Sequence, residues 1–243
     1  MHQIVISDDC DWLFAMYQVL VLNPNSSQKV TDNLRSTVSA PSTVELSFYT
    51  APPSAPKEIT GEETSRQSEK VVLDDLKDKK LNYDGILVCC YSDHPLVRSL
   101  AKLVDCPVMG IMQATLLYAL LNGTIRKLFV LTSVSEWLPL LDKAIVDFVG
   151  AELFPSGKFQ KTRALDVNVT NLSDPEQFAK IEKKVSGFLD EYKDDNIDCV
   201  LLGCAGMAGL DKKLAEKFPL QFIDSVKIGV DFLTGLMQFK ARE

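Results

Sequence analysis

Eight strand-like runs constrain this chain most. In order they are "QVLVL" (18–22), "VELSFYT" (44–50), "GILVCC" (85–90), "PVMGI" (107–111), "KLFVLTS" (127–133), "TRALDV" (162–167), "CVLLGC" (199–204) and "LQFID" (220–224). Several are continuously apolar, the pattern of strands covered on both faces. Amphipathic, helix-like stretches separate them, so the chain is expected to be an α/β protein with parallel sheets. The stretch "PVMGIMQATLLYALLNG" (107–123) reads as a strand running into a buried helix; it is too short and too interrupted to cross a bilayer.

The runs fall into two sets of four with a similar period. In each set the first strand ends in a polar turn, "NPNSS" (23–27) or "TS" (132–133), and the third ends in a cysteine, Cys90 or Cys204. After those cysteines, "CYSDHPLVRSLAKLVDCP" and "CAGMAGLDKKLAEKFP" align Leu96 with Leu210, Leu100 with Leu214 and Ala101 with Ala215. An internal duplication is expected: two pseudo-symmetric lobes, each a short parallel sheet flanked by helices, with the active site in the cleft between them. The chain then divides into an N-terminal extension (1–17), a first lobe (18–115) and a second lobe (116–224), with a C-terminal helix (225–243) packing back on the first lobe. The Pro-, Ser-, Thr- and Glu-rich segment 51–70 is long for an idle connection and is a candidate lid, or else a solvated surface loop.

A hydrophobic content of 46% with 24% charged residues is that of a globular protein with a real core. The 26 basic and 33 acidic residues give a net charge of -7 without a basic stripe, which argues against nucleic acid. The first fifteen residues carry no basic n-region, and a cytoplasmic location is expected. Six cysteines (10, 89, 90, 106, 199 and 204) then read as reduced thiols. No CxxC pair is present and the only histidines are His2 and His94, so no metal site is expected.

In open parallel sheets, ligands bind beyond the carboxyl ends of the strands. Cys90 and Cys204 both belong there, and a helix starting just after each would lower the thiol pKa and offer backbone N–H groups. Two thiols facing each other suit stereoinversion at carbon: one takes a proton from one face, the other returns a proton to the opposite face. The backbone N–H groups of "YSD" and "AGM" are candidate donors to the enolate oxygen. Strand alternation turns Cys89 away from Cys90, and the register pairs Cys89 with Gly203; Cys89, Cys106 and Cys199 are expected to be packing residues.

The segments "VLVLNPNSS" with Thr31, "ILVCCYSDHP", "PVMGIMQA", "VLTS", "VLLGCAGM" and "FIDSVKIGV" together resemble the aspartate/glutamate racemase superfamily, and within it the hydantoin and allantoin racemase branch. The resemblance covers residues 18 to about 235. It implies an enzyme without cofactor, with one catalytic cysteine from each lobe, Cys90 and Cys204. Asn23, Ser27, Ser92, Asp93, Thr132, Ser133 and the backbone around Ala205 and Gly206 would then line the substrate pocket, although an Asn-Pro turn also lets Asn23 bond locally. Gln113, where relatives often carry glutamate, and "SDHPL" depart from the pattern; His94 is expected to be a solvent-exposed helix-entry residue. These pocket segments hold no arginine or lysine, which suits a neutral cyclic ureide better than a free amino acid. Alternatives are an Asp/Glu racemase, a thiol-dependent isomerase or decarboxylase, a non-catalytic metabolite-binding protein and a redox sensor. Partners beyond the small-molecule substrate are limited to other copies of the chain, since relatives suggest a homo-oligomer.

Overall fold

The computed structural model describes residues 16–241; the remainder of the expected extension, Cys10 included, lies outside them. The eight apolar runs form the eight strands β1 (Tyr17–Asn23), β2 (Val44–Thr50), β3 (Gly85–Val88), β4 (Val108–Gly110), β5 (Leu128–Thr132), β6 (Arg163–Ala164), β7 (Cys199–Leu202) and β8 (Gln221–Asp224). They build two four-stranded sheets of orders β2-β1-β3-β4 and β6-β5-β7-β8, with every pairing parallel. The two sheets are therefore topological copies.

The register shows the duplication residue by residue. Leu22 lies opposite Val88 in the first sheet and Leu131 opposite Leu202 in the second. The next amides also match, since Cys89 N–H donates to the Leu22 carbonyl and Gly203 N–H to the Leu131 carbonyl, both at 2.8 Å. Cys90 and Cys204 follow at equivalent places.

Among the described residues seven α-helices connect the strands, α1 (Gln28–Thr37), α2 (Glu62–Leu76), α3 (Pro95–Leu100), α4 (Ile111–Leu121), α5 (Leu138–Val149), α6 (Pro175–Glu191) and α7 (Leu210–Ala215), and an eighth, α8 (Ser225–Lys240), follows β8. Ser27 caps α1 through the Val30 N–H, and Asp224 caps α8 through Val226 and Lys227. α5 stops at Gly150, whose φ of 66° is left-handed. In β1 and β3, alternate residues enter two apolar clusters. Leu20, Leu22, Ile86 and Val88 pack with Val72, Leu96 and Leu100 on one face. Val19, Val21 and Leu87 join a cluster that continues through α4 and α8 into the second sheet. Burial on both faces is what makes these strands uninterruptedly apolar.

α8 lies against β3 by way of glycine. A Cβ on Gly229 would sit 2.7 Å from Leu87 Cδ1, and one on Gly85 would sit 2.7 Å from Met237 Sδ. A methyl group at either position would force the facing Leu87 or Met237 side chain to shift. The 51–70 segment is not one loop: only 51–61 is irregular, and α2 begins at Glu62. The Thr64 hydroxyl accepts from the N–H groups of Thr60 and Gly61 and starts that helix. Among the described residues, no helix is long and apolar enough to cross a membrane.

Candidate functional site

Cys90 and Cys204 line the same cavity, a space of about 30 Å³ bounded also by Asn25, Ile59, Cys89, Tyr91, Ser133, Trp137, Val169, Gly203 and Ala205. This is room for about one water. None of these side chains is charged. Two contacts between the lobes shut it. The Trp137 indole N–H donates to the Ile59 carbonyl at 3.2 Å, and the Glu58 carboxylate accepts from the Thr170 hydroxyl at 2.7 Å. Ile59 and Glu58 belong to the irregular 51–61 segment, so that stretch covers the cavity.

Outside lies a larger cleft of about 710 Å³ between α2, α3, α4 and α5, in the size range of small-molecule pockets. Trp137 is a wall of both spaces, while Ser92 and Asp93 face the outer one.

The expected pocket residues divide accordingly. Ser133 and Ala205 line the cavity. The Ser92 hydroxyl lies 3.5 Å from the Cys90 sulfur. Gly206 sits behind the wall, where a Cβ would meet the Val169 carbonyl oxygen at 2.7 Å. Four others are occupied elsewhere. The Asn23 amide donates to Asn25 Oδ1, the Ser27 carbonyl and Thr31 Oγ1, so the local-bonding alternative holds and Asn25 takes the cavity position. Ser27 is a helix cap, and Thr132 donates to the Gly203 carbonyl. Asp93 is ion-paired with Arg98 at 2.6 Å and accepts from the Gln113 amide.

His94 is a correction. It is 1% exposed rather than solvated, and its Nδ1 accepts the Leu96 N–H as the N-cap of α3. Acceptance at Nδ1 fixes the proton on Nε2. Burial pushes its pKa down to about 4, against a smaller upward effect of Asp93.

The helix starts also differ from expectation. α3 begins at Pro95 and α7 at Leu210, several residues beyond the thiols, and each is only six residues long. A short 3₁₀ turn, Ala205–Met207, follows Cys204 directly, whereas the backbone after Cys90 only bends. The expected lowering by backbone N–H groups of a following helical turn therefore applies to Cys204, the N-cap of the 3₁₀ turn, and not to Cys90. Burial nonetheless pushes Cys204 up to about 11, opposed by the Gly206 amide and the Ser133 hydroxyl, and pushes Cys90 up to about 12, opposed by Ser92.

Cys89 is packed as expected, its thiol directed at the Leu87 carbonyl, but it also touches the cavity; burial keeps it protonated. Cys199 is fully buried and Cys106 partly so. Among the described residues, no group of three or more histidine, cysteine or acidic side chains is placed to hold a metal ion.

The sequence analysis missed Asn25, Ile59, Trp137 and Val169, and named Tyr91 only through its backbone. Only Asn25 had a signal, its place in the polar turn that drew attention to Asn23.

Comparison with known proteins identifies the family and the fold. Residues 19–233 match the family described as Asp/Glu/Hydantoin racemase. Protein DCG1 of Saccharomyces cerevisiae is 32% identical over 240 residues, covering 91% of this chain and 97% of that protein. A hydantoin racemase of Rhizobium meliloti is 26% identical over 220 residues, covering 89% of this chain and 87% of its own. The fold superposes on an allantoin racemase from Klebsiella pneumoniae with a TM-score of 0.77 at 22% identity, covering 92% of this chain and 89% of that one. The chain belongs to the Asp/Glu/hydantoin racemase family of isomerases.

Proposed function

We propose that the chain is a cofactor-independent racemase of cyclic ureides of the hydantoin or allantoin type, with Cys90 and Cys204 as its acid/base pair. One observation carries this reading: thiols at equivalent strand ends of duplicated lobes line one cavity whose walls bear no charge. A free amino acid is more often held by a counter-charge on its carboxylate. A neutral ring needs hydrogen-bond partners, which Asn25, Ser133 and the backbone at Ala205 supply.

One thiolate removes the proton from the stereocentre, leaving an electron pair delocalised onto the adjacent ring carbonyl. The opposite thiol then protonates the other face. Donors preorganised in a dry site stabilise the developing enolate more strongly than water does. A space for one water holds no ring, so the Trp137 and Glu58 contacts part for substrate to enter from the outer cleft.

Polarimetry tests the substrate class. Single enantiomers of allantoin, 5-substituted hydantoins, aspartate and glutamate are incubated with reduced protein. Decay of rotation to zero for a cyclic ureide is expected. Decay for aspartate or glutamate alone overturns the class, and decay for none overturns racemisation of all these compounds.

A further inference from the structure

The loop that carries Cys204 ends on a buried carboxylate. Asp224 lies opposite Leu202 at the end of β8, just as Gly110 lies opposite Val88 at the end of β4. Each is the N-cap of the helix that follows its strand, α8 or α4. The Asp224 side chain, in a residue only 4% exposed, divides its two oxygens between two tasks. Oδ1 accepts the N–H groups of Val226 and Lys227 at 2.9 and 3.2 Å and starts α8. Oδ2 reaches away from that helix and accepts the Gly209 N–H at 2.9 Å. Gly209 is the N-cap of α7 and closes the stretch that opens at Cys204; the other end is held in the sheet, where the Gly203 N–H donates to the Leu131 carbonyl. From the first lobe, the Asn33 amide donates to the Ala208 carbonyl at 3.3 Å. The Cys90 side is built differently. Gln113 Oε1 takes the space that a Gly110 Cβ would need, and the Gln113 amide donates to Asp93, three residues after Cys90, in an exposed contact of 3.3 Å.

We infer that Asp224 is a positioning residue for Cys204: through the Gly209 N–H, its Oδ2 holds the loop that sets where this thiol stands in the cavity. Asp224 touches neither thiol bond nor cavity wall and acts only through the backbone of residues 204–209. Lys227 Nζ lies 3.7 Å from Oδ2 and bonds both Asp211 oxygens at 2.8 and 2.9 Å, so the carboxylate stands beside a cation that is itself anchored. Displacing a reacting group by about 1 Å costs about a hundredfold in rate, so the hold on this loop bears on turnover. Asp224→Asn isolates the bond. The amide oxygen keeps the two helix N–H groups, and the nitrogen that replaces Oδ2 meets the Gly209 N–H as donor against donor. Asp224→Ser caps α8 with a single oxygen that cannot also hold Gly209.

This assignment rests on the two-thiol reading, but one arm of its test does not need turnover. Wild type, Asp224→Asn, Asp224→Ser and Lys227→Met are compared, with circular dichroism and urea unfolding confirming the fold; the serine variant serves should the asparagine variant not fold. Lys227→Met removes the ion pairs and leaves the Gly209 bond. Alkylation of Cys204 and of Cys90 is followed separately by mass spectrometry. In either Asp224 variant Cys204 is expected to react about five- to tenfold faster, with Cys90 at its wild-type rate. For the racemised ureide, kcat should fall about a hundredfold while KM stays within about twofold. Lys227→Met should leave alkylation and kcat as in the wild type. Unchanged Cys204 alkylation in the Asp224 variants overturns the assignment, as does equal acceleration at both thiols or an equal effect of Lys227→Met. Racemisation whose kcat ignores Asp224→Asn defeats this assignment alone, whereas selective release of Cys204 in a protein that racemises nothing defeats the proposed function alone.

Discussion

His94 makes the folded protein sensitive to mild acid in a calculable way. Its pKa falls from an ordinary 6.5 to about 4 because the ring is buried. The unfolded chain therefore binds a proton at His94 before the folded chain does, and stability drops as pH falls from 6.5 towards 4. At about pH 4.5 the unfolded histidine is almost fully protonated, while only about a quarter of folded molecules are. Integration from about pH 7 to about pH 4.5 gives a loss of about 2 kcal/mol from this side chain. His94→Asn keeps an oxygen acceptor for the Leu96 N–H and removes the titration. Urea unfolding of both proteins at the two pH values isolates the effect, because carboxylates titrate equally in each. The wild type should lose about 2 kcal/mol more than the variant. Equal losses would refute the buried, neutral histidine.

Three further outcomes follow from the packing. Gly229→Ala forces a methyl group against Leu87 and should destabilise the protein by about 1–3 kcal/mol in chemical denaturation, because the Leu87 side chain must leave its packed position between α8 and β3. Trp137→Phe removes the bond to the Ile59 carbonyl between the lobes; alkylation of the cavity thiols, mapped by mass spectrometry, should accelerate roughly five- to tenfold, and an unchanged rate would show that this contact does not close the site. Cys89→Ala should retain racemase activity while lowering stability by roughly 1 kcal/mol, and its inactivation with the fold intact would place Cys89 in the chemistry.

The central strands β1, β3, β5 and β7 were legible in the sequence because their apolar runs are nearly unbroken, as was the strand-to-helix passage from β4 into α4, whereas β2, β6 and β8 carry polar residues and rested on the repeating order of the runs. The paired cysteines were legible because duplication repeats their context. What escaped depends on tertiary placement. A lone histidine between Asp93 and Pro95 reads as a solvated helix entry, and only packing under α3 buries it. Asn23 and Asn25 share one turn, and its geometry decides which of them turns inward to bond Ser27 and Thr31. Trp137 and Ile59 are 78 residues apart and meet only once the lobes close. The start of α2 was hidden because the proline-rich stretch before it made 51–70 read as one connection, although Gly61 with Thr64 marks it.

The most direct measurement of two-thiol chemistry is proton NMR in heavy water of a single enantiomer of a 5-substituted hydantoin or allantoin, with the wild type, Cys90→Ser and Cys204→Ser. Two-thiol racemisation predicts deuterium at the stereocentre together with loss of optical rotation in the wild type, and loss of racemisation in both variants. Racemisation that persists in either folded serine variant would contradict it.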